Sequence, residues 1–170
     1  VSTSHFNMMR DYLNALFVPH DVIEVRPIEL WVDGSRKRQS RVFSQHRRWS
    51  TRDKLLEEFH ILSTINRRQN ANIFIGVNPR KADGCSTKSG VQTVRSLWLD
   101  IDHTTVCDSL QRLGEVELPD PSIVVDSGHG VHVYWLLDRE YRINSIVDRL
   151  AFENTLRSIG NCVRCDAVFD

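Results

Sequence analysis

SLWLDIDH at residues 96–103 and IVVDSGHGVHVYWLL at residues 123–137 carry the reading of this chain. The first runs from apolar residues into Asp100 and Asp102, one residue apart. In an extended strand, residues i and i+2 share a face, so both carboxylates point the same way. Side by side they repel, and they ionise together cheaply only where cations neutralise them. Hard oxygen donors of this kind suit Mg2+ or Mn2+ carrying substrate phosphates. The apolar run before them argues for a buried strand presenting the pair rather than a frayed end. The second stretch predicts a hairpin with Ser127-Gly128-His129-Gly130 as its connection. Glycines there let the backbone approach a ligand, and free amides can face an anion. His132, one residue into the returning strand, can point back toward the turn and donate to a phosphate oxygen; a lone strand histidine can equally be a satisfied core or edge residue.

Outward from these stretches, the periodicity predicts the remaining elements. Met8, Met9, Tyr12, Leu13 and Leu16 step at helical spacing within 5–17. Val22 to Trp31 reads as a strand whose Pro27 marks an edge or bulge. Asp33-Gly34 turns the chain into a second strand, RVFSQHRRW. Ser50, with Asp53 three residues on, is the expected cap of a four-turn helix carrying Leu55, Leu56, Phe59, Leu62 and Ile65 or Asn66. ANIFIGVNPR is a further strand, and KADGCSTKSGVQTV is a polar loop without hydrophobic period. A short helix over 106–113 precedes the hairpin. A longer one over 144–159 places Ile146, Val147, Leu150, Leu156 and Ile159 on its apolar face. VRCDAVFD is expected to begin a last strand. This order predicts an α+β fold: a mixed, mostly antiparallel sheet with helices packed on it.

The length of 170 residues suits one domain, residues 1–21 a helical segment and 22–170 the core. No apolar run approaches the ~20 residues that span a bilayer, and VSTSHFNMMRDYL lacks a signal-peptide layout, so a cytoplasmic protein without membrane partners is expected. Lys and Arg number 22 against 22 Asp and Glu, a balance unlike that of most nucleic-acid-binding proteins. The charge is locally concentrated, however. Arg36, Lys37, Arg38, Arg41, Arg47, Arg48, Arg52 and Lys54 face a single acid, Asp53, a stripe able to neutralise phosphates or to solvate a hairpin tip. Cys162 and Cys165 form one C-x-x-C, with Cys85, Cys107 and His103 elsewhere. One pair is too few for the usual zinc spacing, and zinc is not expected.

Taken in order, the Asp-x-Asp strand, the Ser-Gly-x-Gly-x-His turn opening a Val-Tyr-Trp strand, and the later Cys165-Asp166 resemble the three motifs of archaeo-eukaryotic primases (AEPs). The nearest likeness is to the RepB-like and prim-pol replication primases of plasmids and phages. VIEVRPIE, ANIFIGVNPR, SLWLDIDH, VVDSGHGVHVYWLL and CDAVFD share that order, so the likeness covers most of the chain from Val22 onward. The resemblance implies a catalytic core built round an RRM-like palm, performing metal-dependent nucleotidyl transfer from nucleoside triphosphates on a single-stranded DNA template. It implies that Asp100, Asp102 and Asp166 hold the catalytic Mg2+ or Mn2+, in a two-metal site. It also implies that Ser127, Gly128, Gly130 and His132 contact the triphosphate, and that Arg80 touches the nucleotide. The stripe Arg36, Lys37, Arg38, Arg41, Arg47 and Arg48 is then expected to follow the template, with Trp31 or Trp49 stacking a base. A replicative helicase is the partner such primases suggest. The family continues past its third motif with an arginine-bearing segment, whereas four residues follow Asp166 here. A catalytic fragment of a longer replication protein is therefore expected.

Other readings fit less well. LWLDIDHTT matches the D-x-D-x-T of haloacid-dehalogenase phosphatases, but no lysine follows Lys88 to neutralise an aspartyl-phosphate. A rolling-circle nickase needs two histidines separated by one residue, and His129 and His132 have two between them. A non-catalytic replication-initiator or nucleic-acid-binding module of the same fold is the remaining alternative.

Overall fold

The computed structural model describes residues 3–32, 38–42, 48–68, 71–81 and 87–165, with the backbone alone for 30–32, 38–42, 48 and 68. Two compact units make up the chain, Val1–Gly90 and Val91–Asp170. The α+β expectation holds. The strands divide between two sheets, and every strand pairing among the described residues is antiparallel.

In the first unit, helix α1 (Thr3–Leu16) leads into the central strand β1 (Ile23–Val32). β1 pairs along one side with β3 (Arg48–Ser50) and then with β2 (Arg38–Val42), and along the other with β4 (Ala71–Ile75). Pro27 thus lies in the middle of a sheet rather than at its edge. It is tolerated because β3 pairs only as far as Val25 and β2 begins at Ile28, so that side makes no demand at Pro27 for a missing N–H. Alternation then sorts the faces. Ile23, Val25 and Ala71 are buried, together with Leu13, Leu16 and Phe17 at the end of α1.

The expected four-turn helix is two helices, α2 (Arg52–Glu57) and α3 (Phe59–Arg68), with Glu58 capping the first. The carbonyl of Glu58 in turn accepts the amides of Ile61 and Leu62, opening the second. Ser50 does not cap. Its pairing with Ile23 holds it in β3, its hydroxyl is buried without a hydrogen bond, and Thr51 takes the N-cap position. Leu55, Leu62 and Ile65 of the expected stripe are buried as the spacing requires.

In the second unit, β5 (Thr93–Asp102), helix α4 (Val106–Glu115), β6 (Ile123–Asp126), β7 (Gly130–Arg142) and helix α5 (Ile146–Val163) follow in order. The sheet order is β5-β7-β6, with the expected β6–β7 hairpin. Leu99 and Ile101 on β5 and Val131, Val133 and Trp135 on β7 join Leu113 of α4 and Val163 of α5 in one core. Burying such side chains is worth about 1.5–3 kcal/mol each, so β5 cannot rotate without exposing its alternate residues. Thr105 caps α4, and Ser145 caps α5 through a full capping box with Asp148.

The apolar face expected for α5 is corrected in its first half, whereas Leu156 and Ile159 meet the core as expected. Ile146, Val147 and Leu150 are 62%, 70% and 47% exposed, while Phe152, Leu156, Gly160 and Val163 are buried. The early residues form the helix's solvated first turns, and the seam that meets the sheet begins at Phe152. α5 also runs to Val163, so the start of VRCDAVFD is helical rather than extended; residues 166–170 lie outside the described residues.

Candidate functional site

Because Leu99 and Ile101 face the core, Asp100 and Asp102 emerge on the opposite face of β5, both exposed. Register supplies their neighbours. Asp100 lies opposite His132 and Asp102 opposite Gly130. The His132 Nε2 is 3.4 Å from Asp100 Oδ1, with the two side chains 35% and 55% exposed. The chain leaves the strand abruptly at His103, whose φ of 55° is left-handed and whose amide donates to the His129 carbonyl at 2.9 Å. This ties the end of the acidic strand to the hairpin turn.

Gly130 is required by the close approach of the two backbones. A Cβ there would collide with the Ile101 carbonyl oxygen and lie 2.9 Å from the Asp102 Cα. Gly128 is required by its conformation instead, with φ +82° in open space. A positive φ at the first central residue is the pattern of a II′ hairpin turn. The Ser127 amide and hydroxyl both donate to the Gly130 carbonyl, each at 3.0 Å, and the Gly128 amide donates to Asp126 Oδ1 at 2.8 Å. The Gly128 N–H that sequence offers to an anion is thus held by the turn's own carboxylate.

Beside the acids opens a pocket of about 380 Å3, lined by Asp100, Ile101 and Asp102 from β5, Arg112 from α4, and Gly160, Asn161, Arg164 and Cys165 at the end of α5. The α5 terminus is a Schellman motif. The Arg164 amide donates to the Asn161 carbonyl at 3.3 Å and the Cys165 amide to the Gly160 carbonyl at 3.0 Å. Arg164, with φ 58°, occupies the left-handed position that glycine usually fills. Sequence reasoning missed both arginines. Arg112 sits in an ordinary amphipathic helix, and Arg164 gave only one signal, its place two residues before Asp166.

The carboxylate pair fits a divalent cation by its chemistry: two hard, exposed oxygen donors on one face, lining an open cavity. Among the described residues no three His, Cys, Asp or Glu side chains converge as a metal group. The third expected ligand, Asp166, lies outside the described residues.

Arg80 belongs to the first unit, where its side chain is 2% exposed, 3.3 Å from Glu24 Oε2 and donating to the Thr87 carbonyl at 2.9 Å. Glu24 is itself held by Arg26 at 2.7 and 2.9 Å. This is a buried carboxylate clamped between two guanidiniums. Arg38, Arg41 and Arg48 lie on β2 and β3, described by backbone alone, and Arg36, Lys37 and Arg47 lie outside the described residues. Trp49 is partly exposed on β3, opposite Glu24. Cys107, Cys162 and Cys165 form no disulfide among the described residues, and Cys85 lies outside them. Among the described residues no helix is long and apolar enough to cross a membrane.

No family model and no curated protein matches the sequence. The structure is similar to the AEP domain of the cyanophage S-2L primase-polymerase, with a TM-score of 0.63 over 94% of this chain and 74% of that one, at 14% identity. That likeness shows the fold: the chain is built as an AEP-like domain.

Proposed function

We propose that this chain is the catalytic part of a primase-polymerase, related to the RepB-like and prim-pol replication primases, that transfers nucleotides from nucleoside triphosphates to a 3′-hydroxyl on a single-stranded DNA template. The observation that carries the reading is the register of β5 on β7. It sets Asp100 and Asp102 beside His132 and the Gly128–Gly130 turn, on an AEP-like fold. Either feature alone is weak; an unrelated fold has no reason to combine them at this spacing.

Asp100 and Asp102, joined by Asp166, are the proposed holders of Mg2+ or Mn2+. When bound there, the cations lower the pKa of an attacking hydroxyl and neutralise charge on the departing pyrophosphate. In the reaction, the 3′-oxygen bonds to the α-phosphorus, the bond from that phosphorus to the α–β bridging oxygen breaks with its electron pair leaving on pyrophosphate, and the hydroxyl proton passes to solvent. The chain's own residues chiefly position and neutralise. Asp100 orients His132 across the 3.4 Å between them, and His132 offers an N–H to a phosphate oxygen. Ser127, whose hydroxyl donates to Gly130 in the free protein, rotates to donate to the triphosphate. Gly130 keeps β7 close enough to β5 for these groups to meet. Arg80 steadies the first unit through Glu24, and a direct nucleotide contact would require it to share that carboxylate. The basic residues 36–48 are the proposed template path, and a replicative helicase the proposed partner.

Extension of a labelled primer on a single-stranded template with Mn2+ tests the reading. Wild-type protein is expected to lengthen the primer, and Asp100→Asn to abolish lengthening while the circular dichroism stays native. Equal extension by the variant would remove the acid pair from the mechanism.

A further inference from the structure

The pocket beside the acids is lined by two arginines that the proposed chemistry does not use. Among the described residues, neither the Arg112 nor the Arg164 guanidinium makes a hydrogen bond or ion pair. Arg112 is half-buried, and Arg164 is exposed. Two carboxylates and two guanidiniums balance as they stand. Divalent cations on Asp100 and Asp102 would leave the pocket positive, and an anion would restore neutrality.

We propose that Arg112 and Arg164, which line one pocket with Asp100 and Asp102, form a phosphate site for the strand whose 3′-hydroxyl attacks. The proposal rests on reading Asp100 and Asp102 as a nucleotidyl-transfer site. Such a transfer joins two phosphate-bearing reactants at one metal centre. The turn with His132 serves one of them, the triphosphate, and does not line this pocket. The guanidiniums, planar forks that pair bidentately with phosphate oxygens, serve the other. The backbone of Arg164 adds an independent observation. A cation complements the negative end of a helix from any position in its last turn. Helix polarity therefore gives no reason to place it at a left-handed position where glycine would be less strained. The pocket does give one: the C′ position of this Schellman motif lies on its wall.

The test uses the full 170-residue chain with Mn2+ and two probes, a fluorescent thymidine tetranucleotide with a free 3′-hydroxyl and a deoxynucleoside triphosphate. Arg112→Gln/Arg164→Gln is expected to weaken tetranucleotide binding about tenfold or more. Its salt slope should fall by about 0.7 for each phosphate that the variant no longer neutralises. Triphosphate binding should be unchanged, and Arg157→Gln, an exposed arginine elsewhere on α5, should alter neither. Arg164→Gly, which keeps the backbone conformation, should lose strand affinity with a Tm at or above wild type, separating the effect from unfolding. Undiminished tetranucleotide binding by the double variant overturns the proposal. So does equal loss of triphosphate binding, which would give the arginines to the nucleotide, or a wild type that binds no tetranucleotide. Arginine-dependent strand binding without any triphosphate binding would keep the phosphate site and sink the nucleotidyl-transfer reading instead.

Discussion

A methyl group added at Gly130 would strike the Ile101 carbonyl, whereas one added at Gly128 meets nothing within 4 Å and is disfavoured only by φ. The two glycines of one turn are thus required for different reasons. Gly128→Ala should cost about 1 kcal/mol. Gly130→Ala, which forces backbone atoms apart beneath Asp102, should cost about 2–3 kcal/mol or more. Urea denaturation of the pair measures the difference, and equal costs would contradict the close approach. Glu24 makes a second case at this scale. At 1% exposure between Arg26 and Arg80, its removal strands buried positive charge. Glu24→Ala should lower stability by about 3–5 kcal/mol in the same assay. The sequence announced Asp100, Asp102 and His132 because acid spacing and turn glycines leave a local pattern. It left the pairing of Arg80 with Glu24 unannounced, because a buried arginine and a ligand arginine look alike in sequence.

Among the elements, legibility followed how local the deciding interaction is. The β6–β7 hairpin was legible because a two-residue turn between apolar strands is specified by neighbours in sequence. The break at Glu58 was not, nor was the burial seam of α5, because tertiary packing decides which of several apolar residues faces the sheet. Leu150 and Leu156 are equally apolar, yet one is 47% exposed and the other 1%. Helix ends offer a sharper check. Ser145 and Asp148 close a reciprocal capping box, so Ser145→Ala should destabilise by about 1 kcal/mol and raise hydrogen exchange in the first turn of α5. At the other end, Arg164→Gly should stabilise by about 0.5–1 kcal/mol, since it relieves a left-handed non-glycine residue. Loss of stability there would contradict the strain.

At the scale of the whole molecule, zero net charge forbids a strong general attraction to nucleic acid. Any strand binding must come from local clusters and weaken steeply with salt. The single-domain expectation predicts one cooperative thermal transition, and two resolved transitions would separate the units Val1–Gly90 and Val91–Asp170. The split of the strands into two sheets was not legible, because strand order in sequence does not state which strands share hydrogen bonds. The central claim, that Asp100 and Asp102 bind a nucleoside triphosphate through divalent metal, is most directly tested by calorimetric titration. A nucleoside triphosphate is titrated into wild-type protein and the Asp100→Asn/Asp102→Asn variant, with Mn2+, with Mg2+ and with neither. Binding that requires the metal and disappears in the variant is the expected result. Absence of binding by folded wild type under either metal, or binding that survives intact in the variant, would contradict it.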